Sequence, residues 1–287
     1  MILGSGYGLY GYLPALIELG FHSIKISLKY KEKIISRNDL SIYENYISWY
    51  ENEKVALAKV DTIIIALNPS NQFKKVRECI NFVNIENYIL EKPLASNPAN
   101  SKKLLFNLIK KEKKFIVGYN FRHTYWAKEL FELNKSFNKI ELTWNFKAHH
   151  FSNNIDTWKK DINKGGGIIR FYGIHLIALL VEMGYKKNLY SKTYGLRNKN
   201  YKWISEYKNE SGSVFLIKIN ANSNKIFFNL VTYDNFSAKS KELINSSGPF
   251  YNIKYNNDIN IDERVPYIKE LINTINDKSK KISFHSD

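Results

Sequence analysis

This chain of 287 residues has a single cysteine, Cys79. No intrachain disulfide can form, and no cysteine cluster can hold zinc. Acids are scarce, 27 against 43 lysines and arginines, for a formal charge of +16. The lysines form no single block, and no nucleic-acid-binding motif accompanies them. The charge therefore favours a phosphorylated cofactor or a nucleotide-linked substrate over nucleic acid. Long apolar runs are missing too. The most apolar stretch, Ile168 to Met183, carries Arg170 and His175 and is too short to cross a bilayer. The N-terminus lacks a basic region followed by an apolar stretch, so it does not read as a secretory signal. These absences predict a soluble, reduced, cytoplasmic protein. Met1 lies almost inside the first expected strand, which leaves room for a few residues ahead of it.

The glycines that are present are placed. Met1-Ile2-Leu3 is a stub of apolar strand that runs into Gly4-Ser5-Gly6-Tyr7-Gly8 and then into the helical pattern Leu9 to Leu19. Strand, glycine turn and helix together make a cradle for a dinucleotide pyrophosphate. The third glycine of the strict pattern falls on Leu9, with Gly8 and Gly11 on either side. Pro14 fits if the regular helix begins near Tyr10 to Leu13. Ser23 to Leu28 alternates as a second strand. Its end reads Ser27-Leu28-Lys29-Tyr30-Lys31, with no acid, and Arg37 lies further on. A carboxylate there would take the ribose hydroxyls of NAD, whereas cations suit a 2′-phosphate, so the expected cofactor is NADP(H) rather than NAD(H).

Asp61 to Leu67 is a continuous β-branched run, the mark of a strand covered on both faces. Asn68-Pro69-Ser70 closes it and opens a helix over 71–81. A short buried strand, Tyr88 to Leu90, ends in Glu91-Lys92-Pro93, which holds Lys92 at the carboxyl end of the sheet where ligands bind. Ser96-Asn97-Pro98 caps a helix to Lys111, and Lys114 to Tyr119 makes one more strand. Strands alternating with helices predict a doubly wound parallel sheet, the Rossmann form of α/β fold, over residues 1–119.

After residue 119 the pattern changes. Ile140, Leu142, Trp144, Phe146 and Ala148 alternate with polar residues, as in a strand with one wet face. Val214 to Asn220 and Ile226 to Tyr233 read alike, further strands are expected between Tyr190 and Tyr207, and a closing helix over Pro266 to Ile275. Residues 120–287 thus read as an α+β domain with an open-faced, mostly antiparallel sheet, which suits substrate binding and assembly into a dimer or tetramer. Between its strands lie Trp158 and Gly165-Gly166-Gly167, then Arg170-Phe171-Tyr172 and His175.

Taken in order, the glycine turn, Asp61 to Pro69, Glu91-Lys92-Pro93, Val117 to Arg122, Trp158 and the triple glycine leading to His175 resemble the glucose–fructose oxidoreductase, inositol dehydrogenase and rhizopine-catabolism (Gfo/Idh/MocA) family. The resemblance implies an NAD(P)-dependent oxidoreductase acting on CH–OH groups of a sugar or nucleotide sugar, with similarity to members in surface-polysaccharide sugar metabolism. It implies that Gly4, Ser5, Gly6, Tyr7, Gly8, Lys29, Arg37, Leu67, Asn68, Pro69, Gln72, Glu91, Lys92 and Asn120 serve the cofactor. Lys92, Arg122, Trp158, Arg170 and His175 would meet the substrate, and Lys92, His175 and Tyr172 would carry the chemistry, without a metal. Many members have an aspartate four residues before the histidine; here it is Phe171. That departure admits rival readings: a catalytically silent dinucleotide-binding sensor or assembly protein, or an imine or tetrapyrrole reductase on the same scaffold.

Overall fold

The structure, a computed structural model, describes residues 1–133, 137–234, 240–250 and 262–275. The chain divides into two compact units. One is Met1–Asn120 with the C-terminal stretch, the other Phe121–Tyr251.

In the first unit, β1 (Ile2–Leu3) leads through a π turn, Gly8–Tyr12, into α1 (Leu13–Glu18), whose first turn takes Pro14. β2 (Ile24–Ser27), the short helices α2 (Lys31–Ile35) and α3 (Asn38–Ser41), β3 (Ile47–Tyr50) and α4 (Glu53–Leu57) follow. β4 (Thr62–Ile65), α5 (Pro69–Cys79), β5 (Asn87–Leu90), α6 (Pro98–Lys110) and β6 (Lys114–Val117) complete the alternation. The strands β1, β4, β5 and β6 form a parallel sheet in the order β1-β4-β5-β6, and β2 pairs parallel with β3.

The isoleucine run in β4 explains the double winding. Successive strand residues face opposite sides. Ile64 joins Ile2 and Ile89 in a core with Leu13 and Leu16 of α1. Ile63 and Ile65 join Tyr88 and Leu90 in a second core with Val76 and Cys79 of α5 and Leu104 and Leu108 of α6. All three isoleucines are buried, each contributing about 1.5–3 kcal/mol. The helices α5 and α6 start alike. Asn68 accepts from Asn71 N–H at 3.0 Å and Asn97 from Asn100 N–H at 2.8 Å, with proline as the first helical residue in each.

The last described helix, α10, spans Val265–Thr274. Val265, Ile268 and Ile272 pack into the core of α1, so α10 belongs to the first unit rather than with the rest of residues 120–287, where the sequence pattern placed it. Its apolar stripe marks it as a packed helix, but periodicity says nothing of which core receives it.

The second unit opens with α7 (Tyr125–Leu133) and β7 (Phe137–Lys147), then α8 (His149–Ser152). A π turn at Ile168–Gly173 runs into α9 (Ile174–Glu182). Five strands follow: β8 (Lys187–Leu196), β9 (Lys199–Lys208), β10 (Val214–Asn220), β11 (Asn222–Asp234) and β12 (Ser240–Ser246). The sheet order is β12-β11-β7-β10-β9-β8. Every pair is antiparallel except β7 with β10. The alternation of β7 sets the register: Leu142 lies opposite Ile217 and Leu230, and Trp144 opposite Ile219 and Phe228, all buried. Among the described residues, no helix is long and apolar enough to cross a membrane.

Candidate functional site

In the first unit, the carboxyl ends of β1, β4, β5 and β6 bring together the glycine turn, Leu67-Asn68, Glu91-Lys92 and Asn120. Gly4 has φ +136°, and a Cβ there would overlap the Ala66 carbonyl; the turn after β1 needs glycine to lie against the end of β4. Lys33 Nζ donates to the Ser5 carbonyl at 2.5 Å. Gln72 ties the neighbouring strand ends. Its Nε2 donates to the Glu91 carbonyl, and its Oε1 accepts from Leu67 N–H at 3.4 Å. The Lys92–Pro93 bond is cis.

Tyr7, the residue after Gly6, is the centre of a polar cluster. Its ring meets Tyr10 at 5.9 Å and Tyr12 at 5.5 Å, edge to face. Its hydroxyl accepts from Asn120 Nδ2 at 3.0 Å, while Asn120 Oδ1 is buried with no hydrogen-bond partner. Tyr12 donates to Glu91 Oε1 at 2.8 Å. Burial raises the Glu91 pKa, opposed by Lys92, the Tyr12 hydrogen bond and Arg264. Arg264 lies 4.2 Å from the centre of the Tyr7 ring. The sequence pattern pointed to neither Tyr12 nor Arg264. Tyr12 reads as one more apolar-face residue, and Arg264 is too distant along the chain to be assigned to the glycine turn.

Beyond β2, an open depression is lined by Ser27, Leu28, Lys29, Tyr50, Glu51 and Glu53. Along the sequence the four residues after β2 include no acid, but in space Glu51 and Glu53 lie beside them. Parallel pairing sets Tyr50 opposite Ser27, so the residues after Tyr50 arrive beside those after Ser27. Glu53 is paired with Lys75 at 2.5 Å. Lys29 lies 5.0 Å from the Tyr30 ring and Lys31 6.0 Å from the Trp49 ring. Arg37 is forked onto Asp39.

In the second unit, the triple glycine is a point of close approach: a Cβ on Gly166 would overlap the Trp158 carbonyl. The π turn that follows carries Arg170, Phe171 and Tyr172. Phe171 meets Trp158 edge-on at 5.4 Å, with Lys159 Nζ 5.3 Å from its ring centre. Tyr172 contacts Phe146 at 4.8 Å and Phe171 at 4.7 Å, and burial raises its pKa well above that of an ordinary phenol. His175, in the first turn of α9, is buried and stacked on Phe121 at 4.7 Å. Arg122 is paired with Glu182 and lies 5.4 Å from the Phe131 ring centre.

A second histidine joins this group. His150, on α8, is buried, lies 6.2 Å from Tyr172, and has no hydrogen-bond partner for Nε2. Its pKa is lowered to about 4 by burial, with Lys159, Lys160 and His149 adding to it. Its one sequence signal is the His149-His150 pair just after a strand. Among the described residues, no group of three or more histidine, cysteine, aspartate or glutamate side chains is arranged to hold a metal ion.

No protein-family model and no curated protein matches the chain. Solved structures do. A dehydrogenase (MviM) from Clostridium difficile is 17% identical, with a TM-score of 0.70, over 96% of this chain and 88% of that one. The WlbA dehydrogenase from Bordetella pertussis, in complex with NADH and UDP-GlcNAcA, is 12% identical, with a TM-score of 0.69, over 96% of this chain and 82% of that one. A super-repressor mutant of Gal80p from Saccharomyces cerevisiae is 14% identical, with a TM-score of 0.70, over 94% and 81%. With its parallel N-terminal sheet and mixed, mostly antiparallel C-terminal sheet, the chain shares the fold of these structures.

Proposed function

We propose that the chain is a member of the Gfo/Idh/MocA family and an NADP(H)-dependent oxidoreductase. It acts by hydride transfer on a hydroxyl or carbonyl of a sugar, phosphorylated or nucleotide-linked, in surface-polysaccharide sugar metabolism. The observation that carries this reading is the convergence of the glycine turn, Glu91-Lys92 and Asn120 at the carboxyl ends of one parallel sheet. The residues fit a dinucleotide. Gly4 leaves bare backbone at the turn, and Asn120 Oδ1 is a buried acceptor without a donor, which the cofactor's hydroxyls and amide would supply.

A bound nicotinamide dinucleotide would give or take the hydride. Lys92, at the mouth of the first unit, would polarise the substrate oxygen. His175 would hold or release the hydroxyl proton. Tyr172, a phenol protonated at neutral pH and raised further by burial, would donate a hydrogen bond. Trp158 and Arg170 would shape the substrate's seat. Arg122 would act on that seat through its pair with Glu182. Preference for NADP(H) rests on Lys29 and Lys31 near the end of β2, where Glu53 is drawn to Lys75. Cytoplasmic location and a homo-oligomer formed through the open sheet complete the reading.

The test is titration with NADPH and NADH, then a panel of nucleotide sugars followed at the nicotinamide absorbance. Tighter binding of NADPH and turnover of at least one sugar are expected. Cofactor binding with no turnover would favour the second reading, a silent sensor. Phe171 in the aspartate's place and the likeness to Gal80p support that reading.

A further inference from the structure

Arg264 brings a second cation to the glycine turn, where Lys33 is already bonded to the Ser5 carbonyl. It precedes α10, whose packing against α1 fixes the arginine's backbone. Asp262 holds the side chain edge-on: Nε donates to Oδ1 at 2.7 Å and Nη2 to Oδ2, leaving Nη1 outside the pair. The guanidinium lies against the Tyr7 ring, immediately after Gly6, and the side chain is 34% exposed. A structural clamp alone could bury its charge on Asp262 and Tyr7. This one keeps a third of its surface open beside a turn of bare backbone.

We propose that Arg264 is a cofactor-binding residue, gripping the pyrophosphate of the dinucleotide through Nη1 as that pyrophosphate lies along the glycine turn. The inference rests on the dinucleotide reading above. Arg264 is the nearer match to a diphosphate than Lys29 or Lys31, each of which lies over an aromatic ring beyond β2. A guanidinium fixed on one edge presents its free edge without further loss of rotamer freedom.

Calorimetric titration of the full chain with NADPH, ADP and adenosine tests this. For Arg264→Met, binding of NADPH and ADP is expected to weaken about tenfold or more, with adenosine unchanged. The double variant Arg264→Met/Asp262→Asn, which also removes the acid, should keep that loss. Recovery in the double variant would overturn the proposal, because the arginine would then only mask Asp262. Equal weakening of all three ligands would also overturn it, as the mark of a structural clamp. Unchanged NADPH binding in Arg264→Met would sink this inference alone. Failure of the wild-type chain to bind NADPH and NADH would sink the dinucleotide reading and the inference together.

Discussion

The two units handle buried polar groups differently. Around the glycine turn of the first, Tyr12 is bonded to Glu91, Asn120 to Tyr7, and Gln72 to the ends of β4 and β5. In the second, His150 lies among Phe151, Phe171 and Tyr172 with Nε2 unsatisfied. A bonded network fixes a shape before any ligand arrives, whereas an unsatisfied buried polar atom costs stability until a partner supplies the bond. The first unit leaves one acceptor open in an otherwise bonded network, Asn120 Oδ1, whereas the open nitrogen of His150 in the second sits among aromatic rings.

The largest test of that division is Lys92→Ala. On the proposed reading it should lower kcat by about 10³-fold and leave NADPH affinity within a few-fold, because Lys92 would polarise the substrate oxygen. Steady-state rates beside a binding titration would separate the two. Unchanged turnover would remove Lys92 from the mechanism.

Gly4→Ala and Gly166→Ala form a matched pair. Each puts a methyl group onto a backbone carbonyl and should cost roughly 1–3 kcal/mol in stability, read by thermal melting. They should part in binding. Gly4→Ala should weaken NADPH, whereas Gly166→Ala should spare NADPH and weaken the sugar substrate. Loss of NADPH binding in both would break the division.

The first unit was the more legible in sequence because backbone signals build it. The β-branched run of β4, the Asn-Pro caps of α5 and α6, and the glycine turn each act within a few residues. What stayed hidden were contacts made across the fold. Glu51 and Glu53 reach the end of β2 only through the β2–β3 pairing, and Arg264 reaches Tyr7 only because α10 returns to the first core. In the second unit alternation revealed the strands, but the parallel step between β7 and β10 is a matter of connection, not of pattern. Burial, rather than neighbouring sequence, sets the character of His150.

A smaller effect concerns acid. The pKa of His150 is lowered to about 4 in the folded chain, so the unfolded chain binds its proton more tightly. Its contribution is full above about pH 6.5 and declines as pH falls toward 4. His150→Phe should remove that decline from a melting-temperature profile. An identical acid limb would show that the histidine is charged in the fold. Smallest of all, Glu51→Lys should raise the preference for NADPH over NADH by only a few-fold, because exposed charge pairs contribute about 0–1 kcal/mol. A shift toward NADH would place the ribose elsewhere.

The central claim is that the first unit holds a dinucleotide whose hydride passes to a sugar. Its most direct test is to incubate the chain with NADPH deuterated at the transferring carbon and a panel of oxidised nucleotide sugars, then weigh the products. One sugar should gain a single deuterium, and Lys92→Ala should not transfer it. A chain that binds the cofactor yet leaves every sugar unlabelled would contradict the claim.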